Sequence, residues 1–131
     1  MPVYLTPDDT LYAAPDRRSD ADTEMSGPPP ASWYTADRET GEWVVDDALY
    51  EAERKRRIAR VDNDLRAIDD RYHSDRSWRD HVIANPDSFP ARAVERMQAA
   101  EDEAAPLRDY RSDLRNAVSP DLPDYDEEAE L

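Results

Sequence analysis

Two apolar seams at heptad spacing constrain this chain more than any other feature. Ile58, Val61, Leu65, Ile68 and Tyr72 recur at steps of three and four residues, which places them on one stripe of a helix. Ala93, Met97, Ala100, Ala104, Leu107, Leu114 and Val118 repeat that spacing later, with Arg111 interrupting one position and Tyr110 beside it. A stripe of this kind needs a partner to bury it, and the two are predicted to pair antiparallel as each other's core.

Helix punctuation fits the same reading. Asp46 or Asp47 can cap a helix starting at Ala48, and Ser74 or Asp75 a short one holding Trp78, Val82 and Ile83, which Asn85-Pro86 ends. Pro90 suits the first turn of a third helix, and Ser119-Pro120 stops it. Pro106 lies inside this third pattern, so a kink or a break is predicted near residues 103–105.

Upstream of residue 47 the signals are shorter. Residues 3–5 and 11–13 alternate around Pro7-Asp8-Asp9 and can form two short strands joined by a turn. Residues 15–32 include Gly27-Pro28-Pro29-Pro30 and read as a linker or a strap laid on a partner. Between 33 and 46, aromatic and β-branched residues flank a turn whose Gly41 suits a positive φ, the strongest hairpin signal in the chain. Trp33 and Trp43 are predicted to share a face of it, a pairing worth up to about 1 kcal/mol. The predicted fold is therefore mainly α: an antiparallel, coiled-coil-like helical hairpin over 47–118 with a short intervening helix. An extended Pro-rich acidic arm over 1–32, an aromatic β-hairpin over 33–46 and a disordered acidic tail over 119–131 complete it.

Composition limits how much core this chain can bury. Leu, Ile, Val and Phe together number 19 of 131 residues, below the roughly one fifth at which high net charge begins to favour disorder. The net charge of −15 is unevenly placed: −7 over 1–46, 0 over 47–72, −2 over 73–118 and −6 over 119–131. Such flanks repel nucleic acid and anionic membranes, so proteins or cations are the expected partners. Lys55 is the one lysine against 16 arginines, and this acid-rich balance resembles that of halophilic proteins. Absence of cysteine excludes disulfides and thiolate chemistry, and no apolar run reaches membrane-spanning length.

No catalytic constellation emerges. His73 and His81, with Asp70, Asp75 and Asp80 nearby, fit no common metal spacing, and Asp62-Asn63-Asp64 lacks the glycine and closing glutamate of a calcium loop. Adjacent acids such as Asp69-Asp70 or Glu127-Glu128 are expected by chance among 32. The basic run Arg54-Lys55-Arg56-Arg57 with Arg60 has acids one turn away and reads as a salt-bridged helix face. Two glycines cannot build a phosphate loop. The expectation is a protein that is not an enzyme, has no cofactor or metal, and works by contact through Trp33, Tyr34, Trp43, Val45, Trp78 and Tyr110.

The order of parts resembles the tail-fibre assembly proteins and related tail assembly chaperones of tailed viruses. The residues that carry the resemblance are Trp33-Tyr34 to Thr40-Gly41-Glu42-Trp43, then Ala52-Glu53-Arg54-Lys55-Arg56-Arg57-Ile58 to Ile68, then Leu107-Arg108-Asp109-Tyr110-Arg111-Ser112-Asp113-Leu114-Arg115. It covers roughly residues 33–118. It implies a tail, baseplate or fibre component located in the virion and assembled in the host cytoplasm. Such a component binds other virion proteins, in several copies of a symmetric assembly, without nucleic acid or membrane. A non-virion tail assembly chaperone is one alternative, and an acidic host-protein-binding regulator or nucleic-acid mimic is another.

Overall fold

A computed structural model describes residues 1–124 of the chain. These divide into two compact units, Met1–Glu53 and the described residues from Arg54 onward.

In the first unit, β1 (Val3–Leu5), β2 (Leu11–Ala13) and β3 (Thr23–Met25) form an antiparallel sheet in the order β2-β1-β3. The β1–β2 turn closes through Thr6 N–H to Thr10 O at 2.9 Å and Asp9 N–H to Thr6 O at 3.0 Å. Asp9 takes a left-handed φ of 67°, a conformation its short side chain tolerates better than most. Tyr4 and Tyr12 sit opposite each other in the ladder and stack with ring centroids 5.3 Å apart. The Tyr12 hydroxyl donates to buried Asp22 and accepts the Arg18 N–H, tying the 14–22 segment back onto the sheet. Burial, together with the bond to Asp22, raises the Tyr12 phenol above its ordinary pKa.

A second sheet pairs β4 (Tyr34–Asp37) with β5 (Glu42–Val45). Gly41 makes their turn possible, and it also seats the hairpin on the first sheet. Its φ is +72°, its carbonyl accepts the Ser26 N–H at 2.8 Å, and a Cβ there would lie 2.6 Å from the Glu24 carbonyl oxygen. Arg38 adds bonds to Thr6 O at 2.8 Å and to the Asp9 carboxylate at 2.7 Å. Tyr4, Leu5, Met25, Trp33 and Tyr50 are this unit's buried apolar residues, with Trp33 edge-on to Tyr50 at 6.1 Å.

The second unit is built on α1 (Asp47–Tyr72), α2 (Arg76–Ala84) and α3 (Ala91–Asn116), with a 3-10 turn at Pro86–Ser88. α1 starts in the first unit, where the Asp46 carboxylate caps it by accepting the Leu49 N–H at 3.1 Å. Val61 and Ile68 of α1 and Ala100, Ala104, Leu107 and Leu114 of α3 make one buried core, with Ile58, Leu65, Tyr72, Tyr110 and Leu122 packed at its edge. The helices run antiparallel: Arg54 reaches the Arg115 and Ala117 carbonyls, Asp62 pairs with Arg111 at 2.8 Å, and Tyr72 bonds Glu103. Two alanines among the buried residues of α3, Ala100 and Ala104, suit close approach of the two helices.

The fold is mixed α and β, with two antiparallel sheets, which corrects the expectation of a mainly α chain with one small hairpin. The difference lies in the residues read as an extended acidic arm. There β3 has a single buried apolar residue, Met25, and only pairing to β1 and docking of the hairpin turn make it a strand. Thr23-Glu24-Met25 carries too little alternation to be read locally, unlike residues 3–5 and 11–13. α3 also runs unbroken through Pro106, which is exposed, so the carbonyl it leaves unpaired one turn back lies on the solvent side. Of the tail expected over 119–131, residues 119–124 continue past α3, and 125–131 lie outside the described residues.

Candidate functional site

The short helix α2 presents two chemically different faces. Its Asp75 cap accepts the Trp78 N–H at 2.8 Å, and Asn85 ends it by bonding the His81 carbonyl through both its backbone and side-chain nitrogens. Arg79 and Val82 point inward, 2% and 1% exposed, whereas Trp78 and His81 point out. The outward face is completed by Phe89, brought back by the 3-10 turn.

Three rings meet there. Trp78 and Phe89 contact edge to face at 5.6 Å and 86°, His81 and Phe89 likewise at 5.7 Å and 85°, and Trp78 and His81 lie 5.6 Å apart. These geometries match the ring quadrupoles, so the cluster is held in a defined shape while Trp78 stays 48% exposed. An exposed tryptophan fixed by its neighbours is the profile of a contact anchor, because little side-chain entropy remains to be lost on binding.

The inward face explains how the platform is held. Arg79 donates from Nε to Glu101 at 2.8 Å and from Nη1 to Asp69 at 2.6 Å and the Ser74 carbonyl at 2.9 Å, so one guanidinium joins α1, α2 and α3. Glu101 also binds Arg108 at 2.6 Å. Partial burial pushes the Glu101 carboxyl up, but the bonds from Arg108 and Arg79 outweigh it and leave the group below its ordinary range. Its contribution to stability is therefore present above the ordinary glutamate range and is lost as pH falls through the lowered value. In melts from about pH 6 to about pH 3, Glu101→Gln is expected to be less stable than the parent at the upper end, with the gap narrowing on acidification. A gap that stays constant would contradict this role.

The structure disperses the six residues expected to make contacts. Register pairs Ala36 with Trp43 and Tyr34 with Val45, so Tyr34, Trp43 and Val45 share one hairpin face, all partly buried. Trp43 anchors that face by donating its indole N–H to the Gly27 carbonyl at 2.8 Å. The expected Trp33–Trp43 pair does not form, since Trp33 stands one residue outside the ladder and is buried against Tyr50. Tyr110 is half-buried and donates to the Pro123 carbonyl at 3.0 Å. Trp78 alone of the six is an exposed large residue; of its ring partners His81 lies one helical turn on, whereas Phe89 is returned by the chain beyond α2 and has no local signal. Arg79 was overlooked too, although an arginine three residues before Val82 on the inward stripe of α2 was a signal that could have been read.

Elsewhere, an open cleft of about 420 Å³ in the first unit is lined by residues including Val3, Glu24, Gly27, Thr40 and Glu42. Its ionisable side chains are the two glutamates, and the Thr40 hydroxyl accepts the Glu42 N–H at 3.3 Å. Among the described residues no group of three or more His, Asp or Glu is arranged to hold a metal, and no helix is long and apolar enough to cross a membrane. No protein family, curated protein or solved structure matches the chain.

Proposed function

We propose that this chain is a non-enzymatic interaction protein of a tailed virus, a tail, baseplate or fibre component that binds other virion proteins. The observation that carries the binding reading is Trp78, half-exposed and locked between His81 and Phe89 on a helix whose other face is pinned by Arg79. Charged groups near it are engaged in structure, as Arg76 with Asp80 at 3.6 Å and Asp75 in its cap show, and the platform offers ring surface. The tailed-virus assignment is supported by the order of parts over 33–118. Within it, Arg111 and Leu114 hold α3 to α1, which accounts physically for a Tyr-Arg-x-x-Leu-Arg pattern at this place.

Mass spectrometry of purified particles of the virus that encodes the chain tests the assignment. Stoichiometric recovery is expected, and absence from particles would replace the virion reading with the assembly-chaperone one. Trp78→Ser is expected to change the stability of the purified chain by less than about 1 kcal/mol, because the ring is half-exposed already. The same substitution should lower its incorporation into particles about tenfold, the loss typical of a contact anchor. Normal incorporation would remove Trp78 from the contact surface.

A further inference from the structure

At the end of the α1–α3 pair away from α2, the chain beyond α3 folds back over its own helices. Arg54 donates to the Ala117 carbonyl at 2.7 Å, and Arg57 to the Pro123 carbonyl at 2.8 Å and the Asp124 carboxylate at 3.1 Å. Tyr110 donates to the same Pro123 carbonyl, and Leu122 packs against the edge of the α1–α3 core. The segment so held has no helix or strand, and a turn bond from Asp121 N–H to Val118 O at 3.0 Å lies within it.

These contacts are those of a peptide site. Guanidinium and phenol groups read main-chain carbonyls, the apolar edge of the helical core takes one aliphatic side chain, and a cation meets the carboxylate that follows a proline. We infer that the groove between Arg54, Arg57 and Tyr110 is a binding site for an acidic, extended peptide of a partner protein, with residues 117–124 as its tethered occupant. Asp124 is 90% exposed beside Arg57, so that ion pair is individually weak and the occupant is retained largely because it is tethered. A partner segment with an aliphatic residue, a proline and carboxylates in the same order can exchange with it. This accounts for Arg54 and Arg57 of the basic run standing at this end of α1, where they meet the main chain of 117–123 and the Asp124 carboxylate.

The experiment uses the full chain and a fluorescein-labelled synthetic peptide with the sequence of residues 117–131, followed by anisotropy. The full-length double variant Leu122→Ser/Asp124→Lys, with its occupant weakened, is expected to bind the peptide about tenfold more tightly than the parent. Binding should weaken with salt and disappear when Arg57→Glu is added. Equal affinity of parent and double variant would overturn the proposal, and so would equal binding of a peptide carrying serine at the Leu122 position, since charge alone would then suffice. Should the double variant not fold, hydrogen exchange on the unaltered chain decides: excess peptide must accelerate exchange of the Asp121 amide, and an unchanged rate overturns the site.

Discussion

Replacing Arg79 with methionine is expected to destabilise the helical unit by about 3 kcal/mol. The side chain is 2% exposed and joins three elements, Asp69 of α1, the Ser74 carbonyl ahead of α2, and Glu101 of α3. Methionine fills the volume but leaves Glu101 with Arg108 alone and Asp69 without its guanidinium. Asp69 is 39% exposed and can regain water, so the expected cost falls at the lower end of the range for a broken buried pair. Urea unfolding followed by far-ultraviolet circular dichroism measures it. Because α2 owes its position to this residue, Trp78 fluorescence should shift to longer wavelength before the helices melt. A loss under about 1 kcal/mol would show that Val82 and the core hold α2 without the ionic network.

Gly41→Ala should unfold the first unit while leaving most helical signal in place. A left-handed φ costs a residue with a Cβ about 1–2 kcal/mol, and here the new atom would also meet the Glu24 carbonyl at 2.6 Å. Backbone cannot yield as a flexible side chain would. Relief requires the hairpin to lift from β3, which sacrifices the Ser26–Gly41 hydrogen bond and the Trp43–Gly27 one, each worth about 1 kcal/mol. A total of about 3 kcal/mol is a large share of what a unit of this size possesses. Hydrogen exchange checks it directly: amides of Val3–Leu5 and Glu42–Val45 should lose protection, while those of α3 keep theirs. Retained protection in β1 would mean that the hairpin and the first sheet fold independently.

Much of the helical part was legible because a helix announces itself by local spacing. Ile58, Val61, Leu65 and Ile68 fall on one face whatever surrounds them, and Asp46 and Asp75 cap by contacts within three residues. Strand signals are weaker and uneven: the alternation at 3–5 and 11–13 and the hairpin around Gly41 are legible, whereas β3 is not. β1, β2 and β3 are three residues each, and β3 is held by Tyr4 and Leu5 from one side and by the Gly41 turn from another, all distant in sequence. The candidate site divides in the same way. Trp78 could be singled out as a large aromatic on a short helix, but whether an aromatic is core or surface depends on its neighbours. Trp33 was buried by Tyr50, seventeen residues on, and Trp78 was left half-exposed beside Phe89, eleven residues on.

By itself the sequence determined where helices begin and run, where the hairpin turns at Gly41, and how charge is distributed between flanks and centre, since each depends on the residue and its near neighbours. Tertiary structure alone decided that residues 23–25 add a third strand to the amino-terminal pair, that Arg79 is an interior ion, and that residues 117–124 lie on Arg54 and Arg57. Those outcomes rest on burial and on partners far along the chain. A three-residue strand or a single arginine has no free-energy preference strong enough to reveal them until the rest of its unit has folded around it.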